Sequence, residues 1–154
     1  FSQNPEVITL LLKSGASINE RNSYGMSPLL CAASFSQNPE VITLLLKSGA
    51  SINERNSYGM SPLLCAASFS QNPEVITLLL KSGASINERD NDGLSPLHLA
   101  ASDNQNPEVI IALLMAGADG KARSLEGKTA FDYAKDNKTL AGTQAYWALN
   151  DAQY

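Results

Sequence analysis

The strongest constraint on the fold is a perfect internal repeat. Residues 1–34 are identical to residues 35–68, and residues 69–89 repeat residues 1–21 before the sequence changes at Asp90. A repeat of this length is typical of solenoid proteins, in which each unit is one supersecondary element that stacks on its neighbours. We therefore expect an elongated array with a core that runs from unit to unit.

Each unit carries two helix starts. Ser27-Pro28 and Asn38-Pro39 both place a capping side chain before a proline at the first helical position, where the missing N–H of proline costs nothing. Lys47 stands in the last turn of the second helix and Gly49 follows as a left-handed stop. The pattern predicts a short helix from Pro28 and a second helix over about Pro39 to Ser48.

The apolar residues of the second helix cover more than one helical stripe, at Val41, Ile42 and 44–46. A lone unit could not bury so wide a surface, so neighbouring units must cover it. The polar, turn-rich stretch 50–59 that follows predicts a projecting β-turn finger before the next helix pair.

One stretch of the third unit carries a family resemblance. Gly93-Leu94-Ser95-Pro96-Leu97-His98-Leu99-Ala100-Ala101 resembles the G-x-T-P-L-H-x-A-A motif of the ankyrin repeat family, with Ser in place of Thr. The tetratricopeptide family shares the 34-residue period, but its Trp, Gly, Tyr and Pro pattern does not fit these units. The resemblance covers the whole chain and implies an all-α ankyrin-repeat solenoid of helix-turn-helix units joined by β-turn fingers.

In the frame of that family the chain is one domain, 1–154, that starts in mid-unit. We expect a half unit at 1–21, full units at 22–55, 56–89 and 90–123, and a C-terminal cap unit at 124–154. The closing helix, over about Thr143 to Gln153, mixes polar with apolar residues and can present one face to solvent.

The opening helix, over Pro5 to Ser14, carries no such adaptation. It is identical to helices inside the array, so we expect the apolar surface that those helices bury to be exposed here. Val7 and Leu11 are the predicted self-association residues. Missing upstream repeats or another molecule would cover them, and a homo-oligomer formed through this end is the alternative function.

Composition and charge exclude several classes of function. The acidic and basic residues of 1–89 cancel, so residues 90–154 hold the whole net charge of −4. Without a basic stripe we expect no nucleic-acid partner, and no apolar run approaches the roughly 20 residues of a membrane span.

Catalytic and metal-binding groups are few. The resemblance implies that His98 makes a structural hydrogen bond to a neighbouring finger or unit. Cys31 and Cys65 are separated by one repeat, about 10 Å for packed helices, too far for a disulfide, and we expect both to be buried free thiols without a catalytic base. The sequence Asp90–Gly93 begins like a calcium loop, but Ala101 stands where the required Glu would be. We expect no enzyme, cofactor, metal site or small-molecule substrate.

The resemblance implies that a protein partner contacts the finger tips and the exposed side of the first helices. The partner-binding residues expected on that basis are Tyr24, Met26, Phe35, Tyr58, Met60, Phe69, Asp92, Leu94 and Asp103. Recurring aromatic and Met side chains are typical of interface cores. For the two Phe residues, packing beneath their own loops is an open alternative.

Two further expectations concern origin and compartment. Perfect copies indicate either very recent tandem duplication or engineering, and a natural unit copied by an engineer accounts for both the identity and the retained cysteines. Free thiols favour a reducing compartment, so the chain is expected to be cytoplasmic.

Overall fold

A computed structural model describes residues 3–154, which form nine α-helices and no β-strand. The helices are α1 (Pro5–Lys13), α2 (Pro28–Phe35), α3 (Pro39–Lys47), α4 (Pro62–Phe69), α5 (Pro73–Lys81), α6 (Pro96–Asp103), α7 (Pro107–Met115), α8 (Ala130–Ala134) and α9 (Gln144–Ala152). The all-α prediction is confirmed.

The helices lie in two rows. The first helices of successive units, α2, α4, α6 and α8, pack against one another in one row, and α1, α3, α5, α7 and α9 form the second row. With the predicted unit boundaries, each full unit places one helix in each row. The result is a solenoid of stacked helix pairs.

The helix ends follow the predicted chemistry. The Ser27 side chain accepts a hydrogen bond from the N–H of Leu30, and Asn38 caps α3 by accepting from the N–H of Glu40. α3 ends at Lys47, and Gly49 follows with a φ of +101°. The two predicted starts and the glycine stop are therefore confirmed.

The core lies between the two rows and is continuous along the stack. Val41, Ile42 and Leu45 of α3 are buried, as are Ala32 and Ala33 of α2. The small alanines let neighbouring first helices approach closely, and the wide apolar face of each second helix is covered from both sides. A helix at the end of the array lacks one of those covers.

The tip of each finger, residues 56–59 in the second unit, is held by the side chain of its first residue. Asn56 Oδ1 accepts hydrogen bonds from the N–H groups of Tyr58 and Met60, and the Asn56 N–H donates to the Met60 carbonyl. Gly59 closes the turn with a φ of +75°, and a Cβ at this position would lie 2.9 Å from the backbone nitrogen of Asn91 in the next finger. The fingers are thus fixed in shape and packed side by side.

A polar ladder joins successive units. Arg55 donates to the carbonyl of Gly59 in its own finger and to Glu88 of the next junction, at 2.9 Å. Glu88 in turn accepts a hydrogen bond from the buried hydroxyl of Ser61. The same set of contacts occurs one unit earlier around Glu54. Burial of Glu88 raises the pKa of its carboxyl group, against the opposing effects of Ser61 and Arg55.

No helix in residues 3–154 has the length and apolar character needed to span a membrane.

Candidate functional site

The fingers and the first helices border one open groove of about 400 Å³. It extends along the first three units on the side of the α2, α4 and α6 row. Eight of the nine predicted partner-binding residues line it: Tyr24, Met26, Tyr58, Met60, Phe69, Asp92, Leu94 and Asp103. The structure therefore brings together residues that are spread over 80 positions of sequence, while their role in binding stays a prediction.

The upper edge of the groove is formed by the finger tips. Tyr24 and Tyr58 are exposed, whereas Met26 and Met60 are half-buried and pack against the core. The Asn56 amide lies 3.7 Å from the sulfur of Met26, so a finger residue of one unit orients the Met of the unit before it. Each Tyr–Met pair is thereby held on a fixed turn.

Phe35 and Phe69 close α2 and α4 at the lower edge. Both side chains are exposed, and their ring centroids lie 6.0 Å apart with the planes tilted by 32°. The alternative that they pack beneath their own loops is wrong, because each ring contacts the equivalent ring of the adjacent unit. Phe35 belongs to this aromatic row, although it does not line the groove itself.

The third unit changes the chemistry of the groove. Asp92 occupies the position of Tyr24 and Tyr58, and Asp103 the position of Phe35 and Phe69. Sequence reasoning missed Asp90, which also lines the groove and replaces the finger asparagine of the earlier units. Comparing the units position by position would have found it. The third unit therefore contributes three carboxyl groups where the second unit contributes two aromatic rings and an amide.

Sequence reasoning also missed two residues on the floor of the groove. Cys65 and Leu99 line it from the first helices, beside Ser68. They face the groove because each lies one helical turn before a groove residue of the same helix, Phe69 in α4 and Asp103 in α6. A helical-face argument applied to α4 and α6 could have identified them.

His98 lies in the core and makes structural contacts. Its Nδ1 lies 2.7 Å from the hydroxyl of Ser95 and accepts from the Ser95 backbone, and its Nε2 lies 3.1 Å from the carbonyl of Lys128 in the next unit. A neutral ring protonated at Nε2 satisfies all three contacts. Burial lowers the pKa of the imidazole. The hydrogen bond to a neighbouring unit that the resemblance implied is confirmed.

The two cysteines are free but differ in burial. Cys65 is buried, and this burial raises the pKa of its thiol to about 12. Cys31 is only partly buried, because within residues 3–154 α2 packs against another first helix on its α4 side alone, and desolvation raises the pKa of its thiol as well. The prediction of two buried thiols is wrong for Cys31. A raised pKa leaves little nucleophilic thiolate at neutral pH.

No group of three or more His, Cys, Asp or Glu side chains within residues 3–154 is arranged to hold a metal ion.

A second exposed surface lies at the N-terminal end of the stack. Val7 is 40% exposed, whereas Val41, the same residue in the next unit, is fully buried at 0%. Leu11 is 52% exposed and its counterpart Leu45 only 2%. Leu11 borders an apolar groove between α1 and the start of α2, lined also by Ile8, Ala16 and Pro28. The predicted exposure of the opening helix is confirmed, while self-association through it stays a prediction.

Comparison with curated proteins gave no match. The family model for ankyrin repeats (3 copies) matches residues 1–90 and also residues 63–142, so the two matches together span the array from the first helix into the last unit. Proteins of this family generally serve as protein-interaction scaffolds, typically lack catalytic activity and are often cytoplasmic. The stacked helix pairs, the finger turns and this match agree, and the chain belongs to the ankyrin repeat family.

Proposed function

We propose that this chain is a non-catalytic scaffold that binds a protein partner through the groove between fingers and first helices. The observation that carries the proposal is the convergence of eight predicted contact residues on one groove. The aromatic and Met side chains there offer large contact area with little loss of side-chain freedom.

The rigidity of the fingers supports this function. Asn22, Asn56 and Asp90 each hold their finger by accepting two backbone N–H groups. Arg21 and Arg55 each tie the finger carbonyl to the following unit. A surface that is already ordered loses less entropy when a partner binds.

Quantitative affinity capture tests the proposal with three versions of the full chain: the original, Tyr58→Ala and Tyr154→Ala. Tyr154 is an exposed tyrosine outside the groove and serves as the matched control. A groove partner should be depleted about tenfold or more by Tyr58→Ala and retained by Tyr154→Ala, with unchanged helicity by circular dichroism. Equal recovery by all three versions would contradict the proposal.

A second candidate function is self-assembly through the N-terminal end. Its supporting observation is the exposure of Val7 and Leu11, since the same side chains are buried wherever a preceding unit covers them. Burying such side chains stabilises an interface by about 1.5–3 kcal/mol each. We propose that the cover is a second copy of this chain.

Light scattering over a wide range of protein concentration tests self-assembly. We expect a mass that rises with concentration, and we expect Val7→Asp with Leu11→Asp to restore the mass of one chain. Met115→Asp is the matched control, because Met115 is also exposed and lies far from this end. A constant mass of one chain at all concentrations would contradict self-assembly through this end.

The two free thiols support a place in a reducing compartment, and we propose the cytoplasm. Recovery of the chain from cells with Cys31 oxidised would argue against it.

A further inference from the structure

We infer that the partner segment in the groove carries bulky apolar side chains along the first two units and a Lys or Arg side chain at the third. This inference rests on the proposed function and adds the chemistry and the register of the ligand. It is carried by the contrast between the aromatic and the acidic parts of one continuous groove.

Two exposed positions carry the contrast. Between the second and third units Tyr58 becomes Asp92 and Phe69 becomes Asp103. Both rows of exposed aromatic side chains therefore end in carboxylates at the same unit. A ligand that matches the first two units with apolar groups meets negative charge as it reaches the third.

The carboxylates of Asp92 and Asp103 are available to a ligand. In residues 3–154, neither forms a salt bridge with a Lys or Arg of the chain. The nearby bases are engaged elsewhere: Arg89 donates to the carbonyls of Gly93 and Arg123, and Lys128 pairs with Glu126 at 2.7 Å. A bound cation would thus gain partners without displacing one.

A buried hydroxyl in the groove points to the same site. Ser68 lines the groove, is 2% exposed, and has no hydrogen-bond partner within the described part of the chain. The identical residue one unit earlier, Ser34, donates to the carbonyl of Leu30 at 2.9 Å. A polar group of the bound segment, such as a backbone carbonyl, would satisfy Ser68.

The repeat spacing gives the register. Packed helices lie about 8–10 Å apart, and a segment in the polyproline II conformation advances about 3.1 Å per residue with about three residues per turn. One unit therefore corresponds to one turn of such a ligand, so that every third side chain faces the groove. The expected ligand pattern is apolar-x-x-apolar-x-x-basic, with the basic residue near Asp92 and Asp103.

Selection from a phage-displayed library of random peptides, roughly twelve residues long, tests the inference on the full chain. We expect enriched peptides to contain an apolar pair with Lys or Arg to one side of it. Fluorescence anisotropy then gives the Kd of those peptides. Asp92→Asn with Asp103→Asn should weaken binding about tenfold at low salt, and less at high salt, whereas Glu126→Gln, outside the groove, should leave it unchanged.

A second variant tests whether the two aspartates cause the preference for a basic residue. Asp92→Tyr with Asp103→Phe gives the third unit the exposed residues that the second unit already carries at the same positions. We expect selection on this variant to enrich apolar peptides without the basic residue.

The outcomes separate the inference from the proposed function. Peptides that need Tyr58 but show no preference for Lys or Arg would overturn the inference and leave the scaffold proposal standing. Failure to select any peptide whose binding depends on Tyr58 would overturn both. A dimer that Tyr58→Ala converts to a single chain would show a second copy in the groove, and this too would overturn the inference.

Discussion

The hydroxyl of Ser95 lies 2.7 Å from Nδ1 of His98, within the same helix start. The equivalent serines, Ser27 and Ser61, bond instead to Glu54 and Glu88 of the following junction. The third unit lacks that glutamate because Ala122 stands in its place. The imidazole thus takes over the contact between units that a carboxylate makes elsewhere.

The replacement of the junction glutamate by His98 in the third unit predicts the stability of two variants. His98→Leu introduces the residue found at positions 30 and 64 and leaves the buried Ser95 hydroxyl without its acceptor, at a cost of about 1–3 kcal/mol in the free energy of unfolding. His98→Leu with Ala122→Glu should recover much of that loss, because the introduced carboxylate would meet both Ser95 and Arg89. Urea unfolding near pH 7.5 measures both. A double variant no more stable than His98→Leu would contradict the claim that His98 replaces the junction glutamate.

The lowered pKa of His98 predicts a loss of stability in mild acid. Because burial depresses the folded-state pKa below 6.5, the unfolded chain binds the proton first as pH falls. The contribution of His98 is therefore present above about pH 6.5 and lost as pH falls through the folded-state pKa. Unfolding free energies between pH 7.5 and 5 should decline less in His98→Leu than in the original chain, and parallel curves would exclude this role.

Glu88 should make stability depend on pH in the direction opposite to that of His98. Burial raises the pKa of its carboxyl group above 4.5, so its favourable contribution is present below that pH and is lost as pH rises through the raised pKa. Glu88→Gln should flatten the pH dependence of stability over this window. Glu40→Gln, at an exposed first-turn position, provides the control and should not.

The two cysteines should differ in reactivity although their flanking sequences are identical. Cys31 is partly exposed at the open end, whereas burial raises the pKa of Cys65 to about 12. We expect an aromatic disulfide reagent to modify Cys31 at least about tenfold faster, with Cys31→Ser and Cys65→Ser assigning each phase. Equal rates would mean that the end of α2 is covered in solution. Rates for Cys31 that fall with protein concentration would support self-assembly.

Gly59 and Gly25 form a matched pair for testing the finger stack. Both have positive φ, at +75° and +71°, but only Gly59 is crowded by Asn91 of the next finger. Gly25→Ala should cost about 1–2 kcal/mol for the left-handed backbone, and Gly59→Ala should cost more. Thermal unfolding compares them. Equal destabilisation would show that the fingers do not pack closely in solution.

Most of the fold depends on contacts between residues that are close together in the sequence, and it could therefore be predicted from the sequence. Ser27, Asn38 and Gly49 act on backbone groups within a few residues, so a cap or stop in the sequence implies the same feature in the structure. The groove was predictable because the repeat carries each contact to the same place in the next unit.

Contacts between units were harder to predict. The bond from Ser61 to Glu88 joins residues 27 positions apart, and nothing in a single unit indicates it. The exposure of Cys31 depends on what precedes a unit and not on the unit's own residues. The unit boundaries, the binding residues and the origin of the perfect copies stay predictions.

The two aspartates of the third unit have one more consequence. Tyr24 and Tyr58 lie on identical units, so a ligand that contacted only the aromatic rows could shift by one unit and find the same surroundings. Asp92 and Asp103 remove that translational symmetry. They give the groove an origin and a direction, and a segment that recognises them can occupy it in one alignment only.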